Sequence, residues 1–347
     1  MTVENNASFS VKLKSKLLEL LKLSNRPAVR VYSGYGTAGN CFLFGHALSL
    51  SPLPRKKYRQ NIFINAISML RLFMVKPLAG AQVKLEWDGT THTAKTEIDG
   101  FFRFEWTSLK PLLPGWHSVK VELTDPRSGN IMAFGNGNIF VPFKNQYAFI
   151  SDIDDTFLIS HSSKLRKRLF ALLTKNAHSR TPFAGVVNHY QLLSLAHAPD
   201  KTTNPFFYVS SSEWNLYNYI QTFSSRNGLP DGVYLLSQMK KFKEVFKTGQ
   251  NKHATKFMRI ARVLEAYPGH RFILLGDDAQ EDPTIYASVV AHYKNKIFAV
   301  YIRQVEKKNR EAATSKIKEI EQSGVACCYF AHSSEAVVHS KAIGLIV

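Results

Sequence analysis

Asp152 and Asp154 stand two residues apart at the end of an apolar run, in the segment ISDIDDTF (150–157). On an extended segment such residues point the same way, so both carboxylates can face one reactant while Ile153 faces the core. One carboxylate can attack phosphorus while the other donates a proton to an oxygen and later takes one back. A second apolar run, FFYV, leads into Ser210, Ser211 and Ser212; a third, FILL, leads into Gly276, Asp277 and Asp278, with Asp282 close behind. Lys256 lies between these two runs, near the start of a helical pattern. A serine hydroxyl at 210 can hold a phosphoryl oxygen, and the lysine can neutralise a phosphorylated aspartate and its acidic neighbours. Acids gathered without partners would raise one another's pKa values and cost stability. A divalent, oxygen-loving cation relieves that crowding, and Mg²⁺ suits carboxylates while leaving room for water and phosphate. Acids at strand ends also cap helices, which would account for any one cluster but not for the ordered set.

For these residues to meet, the runs that carry them must lie side by side. After Pro142, buried strands alternate with helical patterns: YAFIS, GVVNHYQLLSLAHA, PFFYVSSS, EWNLYNYIQTFSSRNG, GVYLLS, KHATKFMRIARVLEAYPG, RFILLGDD, PTIYASVVAHY and IFAVYIR. That alternation predicts a doubly wound parallel sheet, whose ligand site lies beyond the carboxyl ends of the strands. Before it, AVRVYSGYG, CFLFGHALSL, AQVKLEW, FFRFEW, HSVKVELTD and NIFVPF read as short strands with polar turns, and Asp99-Gly100 reads as a hairpin turn. The expected organisation is an amphipathic helix over 1–27, a β-sandwich over 28–145 and an α/β domain over 146–347. A small helical insert is expected over 158–205. The stretch 61–75 is interrupted by Asn65 and Arg71, too short for a bilayer span, and reads as a buried helix. SSEAVVHSKAIGLIV reads as a docking helix and strand.

Composition narrows the classes. Hydrophobic residues make up 45% and charged residues 20%, as in ordinary folded proteins. Cys41, Cys327 and Cys328 do not make a disulfide framework, and reduced thiols suit a cytoplasmic setting. Lysines at 12, 14, 16 and 22 break the apolar pattern at the start, so no secretory leader is expected. The net charge of +19 is spread over both halves and would attract anionic lipid surfaces, nucleic acid or polyanionic substrates. Lys164, Arg166, Lys167 and Arg168 in the insert are read either as a solvated helix face or as attraction to an anionic bilayer.

The order Asp152, Asp154, Thr156, Ser210, Lys256, Asp277, Asp282 resembles the four motifs of the haloacid dehalogenase (HAD) superfamily. Within it, ISDIDDTF, NPFFYVSSSEWNLYNYI, GLPDGVYLL, FILLGDDAQEDPTIY and VYIR resemble the actin-patch phosphatidate phosphatase family and its bacterial relatives, best over 147–303. The resemblance implies a HAD-like, Rossmannoid catalytic domain, an aspartyl-phosphate on Asp152, and Asp154 as general acid/base with its carbonyl on Mg²⁺. It implies phosphate contacts from Ser210, Ser211 and Thr156 and metal contacts from Asp152, Asp154 and Asp277, with Asp282 and Asp278 competing as the second acid of the last motif. Lys256 is preferred to Lys252 as the catalytic lysine because it lies in step with the family's helix pattern. Relatives usually carry proline where this chain has Glu213, read here as a solvated acid at a helix start or as an extra charge beside the phosphate. The β domain resembles transthyretin-like modules. The implied function is Mg²⁺-dependent hydrolysis of phosphatidate or a related lipid phosphate to diacylglycerol and phosphate, in the cytoplasm or peripherally at a membrane. Rival readings are a phosphatase of soluble phosphomonoesters or phosphoproteins, and a non-catalytic binder of anionic membranes or nucleic acid. No oligomeric state is implied.

Overall fold

Near-continuous apolar runs need cover on both faces, and the C-terminal half of the chain provides it. A computed structural model describes residues 23–52, 67–68, 70–125, 127–157, 181–199, 202–239 and 252–347. From Tyr147 onward the elements are β1 (Tyr147–Ser151), α1 (Val186–Leu195), β2 (Phe206–Glu213), α2 (Tyr217–Arg226), β3 (Gly232–Ser237) and α3 (Lys252–Ala266). They continue as β4 (Arg271–Asp277), α4 (Asp282–Tyr293), β5 (Ile297–Arg303), α5 (Arg310–Gln322), β6 (Ala326–Phe330) and α6 (Ser333–Ala342). The six strands form one sheet in the order β3-β2-β1-β4-β5-β6, each pair parallel. Chain order therefore reverses at β1, between β2 and β4. Ser151 pairs with Tyr208 on one side and Leu275 on the other, so β1, β2 and β4 deliver their following residues to one end of the sheet.

The unit is thus mixed α/β with a parallel sheet, as the alternation predicted, and it continues further than that reading. Helix α5 and strand β6 lie in a stretch rich in Lys and Glu whose apolar positions Ala313, Ile317 and Ile320 are too sparse to stand out. The expected terminal strand in GLIV does not form. Gly344 has φ +67° and turns the chain, and Leu345 and Ile346 are buried outside any ladder.

Residues 23–141 carry ten strands among the described residues, mostly antiparallel. The long strand Asn40–Pro52 pairs with Ala28–Val31, Phe101–Thr107 and Gly34–Gly36. Gly115–Thr124 pairs with Ile131–Val141 and Gln82–Trp87, and Gly34–Gly36 joins Ile131–Val141 in parallel. Leu43, Phe102 and Phe104 from one group of strands share a core with Val83, Val121 and Leu123 from the other. The alternation in FFRFEW is what allows this, since every second side chain turns inward.

The hairpin expected at Asp99-Gly100 is a turn without a hairpin. Gly100 takes φ +80°, and the Glu97 and Phe101 backbones bond across the turn. Yet Thr90–Lys95 pairs with Gln82–Trp87, while Phe101–Thr107 pairs with Asn40–Pro52. The turn residues fix a local reversal; core packing decides that the chain crosses to another partner. Residues 1–22, 53–66, which include the start of the helix expected over 61–75, and the basic stretch 158–180, with Lys164, Arg166, Lys167 and Arg168, lie outside the described residues. Leu23 and Ser24 already form a short strand against Ser51 and Pro52.

The two sheets meet through aromatic side chains. Tyr32 stacks on Trp214 with ring centroids 4.2 Å apart, and the Ser33 backbone N–H donates to the Tyr217 hydroxyl at 3.0 Å. Tyr35 lies edge-on to Phe207. These residues belong to one continuous buried cluster that spans both units.

Candidate active site

Strand β1 ends at Ser151, and the next residue, Asp152, donates its backbone N–H to the Leu275 carbonyl of β4 at 2.8 Å. This bond carries the first acid to the reversal point of the strand order. The loop then turns sharply: Asp155 sits at φ +62°, a left-handed conformation that Asp tolerates better than most residues. The turn returns Thr156 toward the sheet, where its hydroxyl donates to Asp277 Oδ2 at 2.7 Å and lies 3.4 Å from Asp152 Oδ2. Arg303, from the end of β5, supports this loop by donating Nε–H to the Thr156 carbonyl at 3.0 Å.

Lys256 reaches the acids from α3. Its Nζ donates to Asp152 Oδ1 at 2.6 Å and also to Asp282 Oδ1, with all three side chains buried. Asp282 opens α4 and packs over Gly276, where an added Cβ would meet Asp282 Oδ2 at 2.5 Å. That close approach explains the glycine before Asp277. Carboxylate oxygens of Asp152, Asp277 and Asp282 lie within 4.8 Å of one another. The side chain of Lys252 lies outside the described residues.

The electrostatics follow from three carboxylates facing one ammonium. Burial pushes the Asp152 carboxyl up to about 8; Lys256 pulls it down, and Asp282 and Asp154 push it up further. Burial also holds Asp277 well above the usual carboxylate range, with Asp282 and Asp152 adding to it. Burial works to lower the Lys256 pKa, yet Asp152 and Asp282 outweigh it and keep the ammonium above its ordinary value. The surplus negative charge, in a site built from hard oxygen donors, fits a divalent cation of the magnesium type.

Asp154 faces the neighbouring strand. Its Oδ2 accepts from Ser210 Oγ at 3.1 Å and Ser212 Oγ at 2.6 Å, and the Ser212 N–H donates to Ser210 Oγ at 2.9 Å. Ser211, expected with Ser210 at the phosphate, lies between these two on β2 and makes neither bond. Ser212 takes that place because side chains two apart share a face. Asp278, one of the expected metal acids, is turned away. Its carboxylate accepts from the Val305 and Glu306 backbone N–H groups at 2.7 and 2.9 Å and from the Tyr329 hydroxyl at 2.7 Å. It caps the loop after β5, while Asp282 joins the acid cluster. The solvated placement expected for Glu213 gives way as well: it is buried at the end of β2, opposite Ser237.

Sequence reasoning missed the supports. Arg303 is buried, donates to Ser333 Oγ at 2.9 Å, and lies over the rings of Phe183 and Phe330. Its position at a strand's carboxyl end was the available signal. The Tyr190 hydroxyl lies 2.8 Å from Ser151 Oγ, which donates to the Asp152 carbonyl; nothing in its helical context marks it.

Strand order and convergent side chains define the C-terminal unit as an α/β protein with a candidate ligand site at the switch point of a parallel sheet. Comparison with known proteins is more specific. Residues 147–304 match the family model described as the catalytic domain of phosphatidate phosphatase APP1. Phosphatidate phosphatase APP1 of Saccharomyces cerevisiae is 28% identical over 154 residues, covering 44% of this chain and 25% of that protein. An uncharacterized protein of Schizosaccharomyces pombe is 21% identical over 164 residues, covering 47% of this chain and 26% of that one. The chain thus spans about a quarter of the length of these curated relatives. Among solved structures, a PilB minor pilin from Streptococcus sanguinis overlays with a TM-score of 0.32 and 9% identity, over 77% of this chain and 88% of that one. A superposition that poor carries no argument about fold.

Proposed function

We propose that the chain is a Mg²⁺-dependent phosphatase that works through an aspartyl-phosphate on Asp152 and hydrolyses phosphatidate or a related lipid phosphate to diacylglycerol and phosphate. One observation carries the reading: at the strand-order reversal Lys256 bonds Asp152 and Asp282, and carboxylate oxygens of Asp152, Asp277 and Asp282 lie within 4.8 Å of one another. The family match of residues 147–304 supports the phosphatidate class. The reading takes the C-terminal unit, 146–347, as a HAD-like doubly wound fold, supported by the β3-β2-β1-β4-β5-β6 order. It takes 28–145 as a transthyretin-like sandwich, supported by the core that its two groups of strands share. Cytoplasmic residence and peripheral contact with an anionic membrane belong to the same reading. Among the described residues no helix is long and apolar enough to cross a bilayer.

Asp152 and Asp277, with the Asp154 carbonyl, would hold Mg²⁺, which supplies charge neutralisation at the phosphoryl oxygens. An Asp152 carboxylate oxygen attacks phosphorus, and the phosphorus–alcohol oxygen bond breaks as protonated Asp154 gives its proton to the leaving oxygen. Asp154, now ionised, takes a proton from water as that water attacks the aspartyl-phosphate. The bond from phosphorus to Asp152 breaks, and inorganic phosphate leaves. Ser210 and Ser212 keep the Asp154 carboxyl aimed, Ser210 contacts the phosphoryl group, and Lys256 offsets its charge. Asp282 anchors Lys256.

Phosphate release from phosphatidate in mixed micelles, with and without Mg²⁺, tests this against a panel of soluble phosphomonoesters. Asp152→Asn is expected to lower turnover by about a thousandfold or more. Wild-type rates in that variant would defeat the mechanism, and a preference for a soluble substrate by orders of magnitude would defeat the lipid assignment.

A further inference from the structure

One end of the β unit rises past the catalytic end of the parallel sheet and carries exposed apolar side chains. Two contacts set its direction. Tyr35 lies against Phe207, near the start of β2, and against Tyr267, just after α3. Tyr32 stacks on Trp214, directly past the end of β2 and two residues after Ser212. Moving from Tyr35 to Tyr32 therefore moves toward the site. His46 bonds Tyr32 at 3.0 Å, and its strand continues to Pro52, roughly 20 Å further at ~3.3 Å per residue.

The strand end at Ile131 reaches the same height. A Cβ on Gly135 would meet the Val29 carbonyl, and Val29 pairs with Ala47, next to His46. Ile131 stands roughly 13 Å beyond Gly135. Ile131 faces Thr124, Thr124 faces Gln82, and Gln82 faces Lys95, so the turn at 97–100 shares this rim.

On the rim Ile98 is 87% exposed, Ile131 57%, Met132 42% and, just below, Phe134 61%. Single exposed apolar residues are ordinary on soluble proteins; four at one end of one unit call for a partner. Exposed Arg127 lies in the hairpin turn, and Lys120 Nζ sits 5.1 Å from the Phe134 ring. Of the nearby acids, Glu122 pairs with Lys120 Nζ at 2.8 Å, Asp125 accepts from the Arg127 and Ser128 backbone N–H groups, and Glu97 is exposed. The net charge of the chain is +19.

We propose that this rim, with Ile98, Ile131 and Met132 at its tips, enters the interfacial region of an anionic lipid surface and holds the catalytic end of the parallel sheet toward it. Apolar tips on separate turns, beside the exposed Arg127 on a chain of net charge +19, suit a headgroup layer in which apolar side chains dip and a guanidinium meets phosphate. They lack the continuous, flat apolar centre that a folded protein partner needs. The inference extends the lipid-phosphate reading, and its test reads binding, not turnover.

Co-sedimentation of the full chain with phosphatidylcholine–phosphatidylserine vesicles is the measurement, with pure phosphatidylcholine vesicles and a mixed-sequence oligonucleotide as comparisons. The wild type is expected to prefer the anionic vesicles. The pair Ile131→Ser and Met132→Ser should weaken that binding by about tenfold or more, and Ile98→Ser by a smaller factor, with unchanged thermal midpoints. Vesicle binding that is absent in the wild type, or unaltered in both variants, overturns the proposal. So does oligonucleotide binding that falls with these substitutions while vesicles are ignored. Vesicle binding without any phosphatidate turnover leaves the rim standing and removes the substrate assignment instead.

Discussion

Three buried carboxylates share one ammonium, and the surplus charge has consequences at single residues. Asp277 holds its proton in the folded chain more tightly than an unfolded aspartate does, because burial and its acidic neighbours raise its pKa. A carboxyl with a raised folded pKa contributes most to stability below the unfolded value, about 4, and that contribution is lost as pH rises toward the folded value. Asp277→Asn keeps the shape and removes this cost. In cation-free protein it is expected to raise the thermal midpoint, by more at pH 8 than at pH 5; a gain independent of pH would contradict the account. At Asp154 the two serine hydroxyls matter through aim. Ser212→Ala removes the 2.6 Å donor and should lower kcat roughly tenfold with little change in KM. Steady-state kinetics on a water-soluble phosphomonoester would check it, a KM effect alone arguing for substrate contact.

At the scale of elements, the loop after β1 depends on a side chain from the end of β5. Arg303 bonds the Thr156 carbonyl and Ser333 Oγ between two aromatic rings. Arg303→Gln should cost about 2–4 kcal/mol in denaturant unfolding and weaken activity beyond that loss, whereas an unchanged unfolding midpoint would show that the loop stands alone. Arg303 also marks how far the sequence could be read. The apolar runs FIS, FFYV and FILL announced buried parallel strands, and acids after two of them announced a site, because the periodicity and the strand-end rule are local. Asp278 and Asp282 were indistinguishable at that level, since only the fold reveals that Val305, Glu306 and Tyr329 claim Asp278. Ser212 was within reach of the two-residue period that had already paired Asp152 with Asp154. The crossing at Asp99-Gly100 was not, because turn chemistry does not name the strand that pairs next.

At the scale of the molecule, the two sheets of the described residues are joined by an aromatic seam next to the site. Tyr32, Ser33 and Tyr35 bind the β unit to Trp214, Tyr217 and Phe207, and Trp214 follows directly on β2, the strand that carries Ser210 and Ser212. The seam makes the units one cooperative body, so calorimetry should record a single unfolding transition. A double-mutant cycle of Tyr32→Ala and Trp214→Ala should give a coupling of about 0.5–1.5 kcal/mol. Two separated transitions, or no coupling, would mean that the units stand independently. The proposed mechanism at this scale reduces to one bond, from phosphorus to a side-chain oxygen. Borohydride reduction of a turnover mixture quenched in the steady state, followed by peptide mass spectrometry, finds that bond directly by converting a phosphorylated aspartate to homoserine. The account predicts homoserine at position 152 and nowhere else, dependent on substrate and Mg²⁺; brisk turnover with Asp152 unmodified, or with the mark on another residue, would contradict it.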